Sequence, residues 1–435
     1  MVGRWTKRPL FVFTVEGMKR RISTSSLLCI GALGLAACGS STTTSKATTT
    51  GAPPPSATTK TPTSTTAAAT TTEASTTTNA STTSQAPAMT TKAKPTDQEA
   101  IAQSQALFAN VTPDKPGCSM AVGRDGKVIW AQAFGASNLD PNVPMTTESI
   151  LDIGSTSKQF TATAIALLAQ RGKVDVTAPI STYIAGLPDW STQVTVTQLI
   201  HHTSGIPDYI ELLANAGKTD ADRANDADAL GALAKAPTLN FPAGTSWEYS
   251  NSNYFLMGQI VLKVTGSDVG IFVGTEVFKP IGMKAMMDAT TIPVGKSKSY
   301  ALNGDKWDNA DNFWTQLGDG GIQTTPTELL KWGVQYWNPT VGGADINKTR
   351  FTDAAAVKDE TNALPPNTKY GYGIIETSRK GQRLVTHSGG WGGFVTTFMV
   401  VPQEKLVIAG TCASQDVLPV PTRDTGEVLL DIWLP

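Results

Sequence analysis

The chain has 435 residues, 35 Lys and Arg against 36 Asp and Glu, a net charge of −1, and only three His and four Cys. That balance gives no basic patch for nucleic acid. Three scattered histidines without an acidic cluster beside them do not argue for a metal site, and no cofactor is implied.

Taken in chain order, Met18-Lys19-Arg20-Arg21 is a basic start, and Leu27 to Ala37 is a short apolar run ending at Cys38. This pattern reads as a secretory signal, too short for a membrane span. Leu35-Ala36-Ala37-Cys38 resembles the bacterial lipobox, which makes Cys38 the expected lipidation site and the membrane an expected partner through that lipid. Either Met1 or Met18 serves as the start. Residues 1–38 carry six basic residues and one acidic one, so the remainder holds 29 against 35 and a net charge of −6. Residues 39–95 are Thr, Ser, Ala and Pro with scarcely an aliphatic side chain, the composition of a disordered tether that cannot offset its ordering entropy.

The globular part is expected over 97–435. Asp97 to Asn110 reads as a helix, and Gly117–Gly123 and Lys127–Ala131 flank Arg124-Asp125-Gly126, a hairpin signal. Ser155-Thr156-Ser157-Lys158 follows Gly154 and opens an alanine- and leucine-rich helix that Gly172 ends. Residues i and i+3 share a helix face, so the Lys158 amine reaches the Ser155 oxygen. A serine is a poor nucleophile near neutral pH unless a base such as a neutral lysine takes its proton. His202-Thr203-Ser204-Gly205-Ile206-Pro207, a mostly helical middle with an Ala/Asp-rich stretch from Lys218 to Lys235, and Phe241-Pro242-Ala243-Gly244 come next. Tyr249-Ser250-Asn251 precedes an apolar helix from Asn253 to Val264. Strands are expected at Tyr372–Ile375, Phe394–Val400 and Leu406–Gly410, with His387-Ser388-Gly389-Gly390 just before the second. Strands at both ends and helices between suggest one α/β unit with a helical insertion.

The serine tetrad, Tyr249-x-Asn251 and His387-x-Gly389 in this order resemble the class C β-lactamase-like serine hydrolases, a family that includes β-lactamases, D-alanyl-D-alanine carboxypeptidases and esterases. The resemblance runs over about 97–435. It implies an α/β (α+β) fold, a five-stranded antiparallel sheet flanked by helices, with an inserted mainly helical subdomain. It also implies roles. Ser155 is the acyl-accepting nucleophile, Lys158 its base, and Tyr249 the proton shuttle to the leaving group. Asn251 orients Lys158 and binds the substrate amide, His387 borders the cleft, and the N–H groups of Ser155 and Gly390 hold the oxyanion. In that fold the first and last strands are antiparallel neighbours, so Cys118 and Cys412 are expected to form a disulfide in an extracytoplasmic compartment.

Class C β-lactamases usually carry lysine where this chain has His387. A histidine there favours peptidase or esterase activity over β-lactamase activity. The expected substrate is a peptidoglycan-like D-Ala-D-Ala peptide, an ester or a β-lactam. The competing reading is a catalytically silent, surface-tethered module that binds cell-wall material. For Trp391 and Tyr209, ordinary packing is the default reading.

Overall fold

The structure is a computed structural model that describes residues 95–352, 354–357, 367–419 and 422–434. Residues 1–38, Cys38 among them, and nearly all of the 39–95 segment lie outside the described residues.

A mixed α/β architecture is built on one antiparallel sheet. Its strands are β1 (Cys118–Arg124), β2 (Lys127–Phe134), β3 (Ala355–Ala356), β4 (Lys369–Tyr370), β5 (Ile375–Arg379), β6 (Gln382–Trp391), β7 (Phe394–Val401) and β8 (Leu406–Cys412). Their spatial order is β3-β4-β5-β6-β7-β8-β1-β2. The expected sheet of five is therefore a sheet of eight. Five long strands (β6, β7, β8, β1 and β2) form its body, and three shorter ones extend one edge. The extension follows from Lys380 and Gly381, both at positive φ, which turn β5 directly into β6 as a two-residue hairpin. Asp125 and Gly126 make the same kind of turn between β1 and β2. The strand expected from Tyr372 begins only at Ile375. Gly371 bonds to Ile374 across a turn, and the Tyr372 amide is taken by the Arg350 carbonyl, so neither enters the ladder there.

Both faces of the sheet are covered, which is why β7 and β8 are buried at every position and apolar at most of them. Side chains alternate between the two faces. Met120, Val122, Met399, Val401 and Ile408 pack beneath α1 (Asp97–Ala106) and the C-terminal helix, and Ala121, Phe398, Val400, Val407 and Ala409 face the other helices. Helix α1 starts in a capping box between Thr96 and Glu99 and stops at Ala106, short of the expected Asn110. The remaining helices that matter here are α2 (Lys158–Gln170), α3 (Tyr209–Asn215), α4 (Asp226–Ala234), α5 (Asn251–Thr265), α6 (Pro326–Val334) and α7 (Thr422–Trp433). Helix α2 is buried from Lys158 to Leu168 and runs between the sheet and the helical insertion. Helices α3, α4 and α5 belong to that insertion, and α5 ends at Gly266 in the left-handed conformation. Cys118 and Cys412 are register partners in β1 and β8, with Cα atoms 4.0 Å apart, and they are joined as a disulfide.

Candidate active site

Ser155 sits in a single 3₁₀ turn, Gly154–Ser157, that runs directly into α2. Gly154 has φ +52, and its N–H donates to Asp152 Oδ1 at 2.7 Å. The turn is pressed against β6. A Cβ on Gly389 would lie 1.9 Å from the Ile153 oxygen and 3.1 Å from the Ser155 nitrogen, and one on Gly154 would lie 2.6 Å from the Gly390 nitrogen. Glycine at these two positions lets the Ser155 and Gly390 peptides share one neighbourhood.

Lys158 is fully buried and its Nζ has three partners. It lies 3.0 Å from Ser155 Oγ, 2.8 Å from Asn251 Oδ1 and 2.7 Å from the Asp319 carbonyl oxygen. Two of these partners are carbonyl oxygens that can only accept. A neutral amine has two N–H groups, which these carbonyls occupy, so its lone pair is left for the Ser155 hydroxyl. Burial supplies the neutral form by pushing the Lys158 pKa down to about 8, against the opposing pull of the Asp319 and Asp208 carboxylates.

The Asn251 amide is oriented by Asp208, whose Oδ2 accepts from Asn251 N at 2.8 Å and from Nδ2 at 2.9 Å. That pairing fixes which end of the amide carries oxygen, and hence which end faces Lys158. Asp208 also caps α3 by accepting from Ile210 N. Asp319 contributes its carbonyl to Lys158 and its carboxylate to the Tyr209 hydroxyl at 2.9 Å. Burial raises its carboxyl pKa to about 6, with Lys158 acting the other way. The Asp319 loop is tied to α2 through Thr161 Oγ1 on the Gly318 oxygen at 2.7 Å and to the turn before it through Ile322 N on Ser157 Oγ at 3.2 Å.

Tyr249 lies with its ring 5.0 Å from Lys158 Nζ. Burial holds its phenol well above the ordinary range, and a hydrogen bond with Ser155 pulls it partly back. The resting group is therefore a phenol, able to donate. Its ring is backed by His202 at 4.4 Å between centroids. His202 is buried at φ +56, and its Nδ1 accepts from Ser250 N and Asn253 Nδ2. Desolvation depresses its pKa far below the usual imidazole value, so it is neutral. Ser204 completes the clamp by donating to Asn253 Oδ1 at 2.6 Å.

His387 is buried on β6. Its Nδ1 faces the Ser388 carbonyl, so Nδ1 carries the proton and Nε2 accepts from the Tyr370 hydroxyl at 3.1 Å. The Tyr249 ring stands 6.3 Å away. Among the described residues no group of three His, Cys, Asp or Glu side chains is placed to hold a metal ion.

The structure thus brings together Ser155, Lys158, Tyr249, Asn251, His387 and Gly390. A family model described as Beta-lactamase matches residues 98–430. The chain belongs to the beta-lactamase family. A penicillin-binding protein of Bacillus subtilis is 24% identical over 290 residues, 62% of each chain. A D-aminopeptidase of Cereibacter sphaeroides is 27% identical over 310 residues, 67% of this chain and 56% of that protein. The chain therefore spans about three fifths of the length of these curated relatives. Among solved structures, a D-stereospecific amidohydrolase from Streptomyces sp. superposes with a TM-score of 0.64 at 24% identity, over 78% of this chain and 99% of that one.

Within this beta-lactamase fold, sequence reasoning missed Asp208, Asp319 and Tyr370. Asp208 carried a signal, since Pro207-Asp208 opens a helix as an N-cap. Asp319 lies between glycines in Gly318-Asp319-Gly320-Gly321, where the sequence suggests only a loop. Tyr209 is 1% exposed, as the packing reading expects, and its hydroxyl bond to Asp319 is what that reading did not foresee.

Proposed function

We propose that this chain is a serine hydrolase acting through an acyl-enzyme on Ser155, on a D-Ala-D-Ala-like peptide, an ester or a β-lactam amide bond at the cell envelope. The observation that carries this reading is the Lys158 Nζ held 3.0 Å from Ser155 Oγ while two carbonyls occupy its N–H groups. In the first step Ser155 Oγ bonds to the substrate carbonyl carbon and its proton passes to the Lys158 lone pair. The carbonyl oxygen becomes an anion facing the N–H groups of Ser155 and Gly390. As the tetrahedral intermediate collapses, the bond to the leaving group breaks and Tyr249 supplies that group's proton, recovering one from Lys158 across Ser155. Water then attacks the ester and restores Ser155. Asn251 and His387 border the substrate, and the Asn251 side chain keeps Lys158 in place. A relative named D-aminopeptidase and the histidine at 387 both favour peptide or ester bonds over efficient β-lactam turnover.

Upstream, Cys38 carries a lipid that anchors the protein to the outer side of the bacterial cell membrane, and residues 39–95 are the tether between anchor and catalytic domain. A Cys38→Ala variant is then released from the membrane fraction, and persistent membrane association would sink the lipoprotein reading.

The enzymatic reading is tested by intact mass of residues 97–435 after incubation with a penicillin, alongside the residual penicillin and hydrolysis of a D-alanyl peptide and a nitrophenyl ester. An adduct on Ser155, or turnover of any of the three that Ser155→Ala abolishes, is the expected result. Turnover unchanged in Ser155→Ala, or neither adduct nor turnover in the parent protein, would overturn it.

A further inference from the structure

Trp391 ends the strand that carries His387 and Gly390, and the reaction above gives it no part. Side chains alternate along a strand, so His387, Gly389 and Trp391 share one face of β6. That face is the one turned to the nucleophile, because a Cβ on Gly389 would strike the Ile153 oxygen and stand 3.1 Å from the Ser155 nitrogen. His387 and Trp391 therefore flank Ser155 from opposite sides, each roughly 6–7 Å along the strand from Gly389.

The two sides differ in chemistry. On one, the His387 imidazole is bonded to Tyr370 next to Tyr249. On the other, Trp391 is half-buried and backed by Trp314, edge-to-face at 6.3 Å between centroids. Trp314 is buried, donates from Nε1 to the Thr219 oxygen at 3.0 Å, and packs 6.4 Å from Tyr209. Tyr209 in turn bonds to Asp319, whose carbonyl accepts from Lys158. An aromatic wall thus runs from the end of β6 to the loop that positions the base. The turn beyond Trp391 is pinned by Gly393 N on Ser299 Oγ at 3.2 Å, which limits how far the wall can shift.

We infer that Trp391, backed by Trp314, is a specificity-determining residue that receives an apolar, preferably aromatic, side chain on the acyl part of the substrate, on the side of Ser155 away from His387. The inference rests on the acyl-enzyme reading of Ser155. An aromatic substituent gains both apolar burial and ring packing against an indole, and a methyl group gains almost none of either.

The test uses two boronic acids that form a reversible Ser155 Oγ–boron bond as the serine proton leaves, and so need no turnover. Acetamidomethylboronic acid and phenylacetamidomethylboronic acid differ only in the group placed toward the wall. Their dissociation constants are measured by calorimetry for the parent protein, Trp391→Ala, Trp391→Phe and Ser155→Ala. The expected result is a preference for the phenylacetamido compound of about tenfold or more, falling to within about twofold in Trp391→Ala and largely kept in Trp391→Phe. If Trp391→Ala does not fold, Trp391→Leu is read in its place. A parent preference near one, or a preference unchanged in the Ala or Leu variant, overturns this inference alone. Failure of both compounds to bind in a Ser155-dependent manner overturns the reading of Ser155, and this inference falls with it.

Discussion

At the scale of single residues, the site is a problem in holding one amine neutral. Lys158 sits near two buried carboxylates, Asp208 and Asp319, both of which favour its charged form, and desolvation still prevails. Activity that needs the neutral amine rises with pH through about 8, and a kcat/KM profile measured between pH 6 and 10 checks this. Asp319→Asn removes one of the two charges that hold the Lys158 pKa up. The rising limb then moves to lower pH, whereas a purely structural role for Asp319 would lower the rate without moving the limb. The neighbours to weigh in that profile are Asp208, Tyr209, Tyr249, Tyr254, His202 and His387, and burial keeps the Tyr254 phenol protonated. Tyr249→Phe keeps the ring packing on His202 and removes the proton that the proposed mechanism gives to the leaving group, which should cost about 10²–10⁴ in the rate of amide hydrolysis. Ser155 and Lys158 were legible because their contact is local, three residues apart on one turn. Asp319 was not, because it meets Lys158 across 161 positions through a main-chain carbonyl that no side-chain pattern announces.

At the scale of elements, the decisive junction is β6 against the turn that precedes α2. Gly389 is the tightest point, and Gly389→Ala would drive a methyl group into the Ile153 carbonyl. The turn must retreat, so the variant should lose about 1–3 kcal/mol of stability and most of its activity together, read by urea denaturation and by the penicillin adduct. The hairpin β1–β2 was readable from Asp125-Gly126, because positive φ at both turn residues selects that pair. Short continuous runs of β-prone residues marked β7 and β8 as strands. The short strands β3 and β4 were not readable, because two residues each carry no period to detect. The strand expected from Tyr372 failed for a related reason. The apolar pattern was present, but the backbone groups of 371–374 bond within a turn and to Arg350.

At the scale of the whole molecule, the first and last parts of the described chain close the sheet together. Strands β1 and β8 pair over seven residues, their ends are joined through Cys118 and Cys412, and α1 packs on α7 beneath them. Trp433 in α7 donates to Ser104 Oγ of α1 at 2.9 Å. Replacing both cysteines by alanine opens a loop of 294 positions and should cost roughly 2–4 kcal/mol, seen as a lower melting temperature that reducing agent reproduces in the parent protein. The α/β class and the order of the site motifs were legible at this scale. The pairing of the two ends followed from the family fold and not from composition.

The three partners of Lys158 come from three separate stretches of chain, around residues 155, 251 and 319. Its low proton affinity depends on all three staying closed around it. A partial opening of any one of them would admit water, and a hydrated lysine recovers an ordinary affinity for its proton. At pH 8 the amine would then carry charge and the serine would lose its base while the sheet remained folded. The catalytic centre is in this sense a hygrometer for its own interior. Its output should fade at urea concentrations where near-ultraviolet circular dichroism still reports an intact core, and the gap between the two curves should narrow as the assay is moved to pH 10.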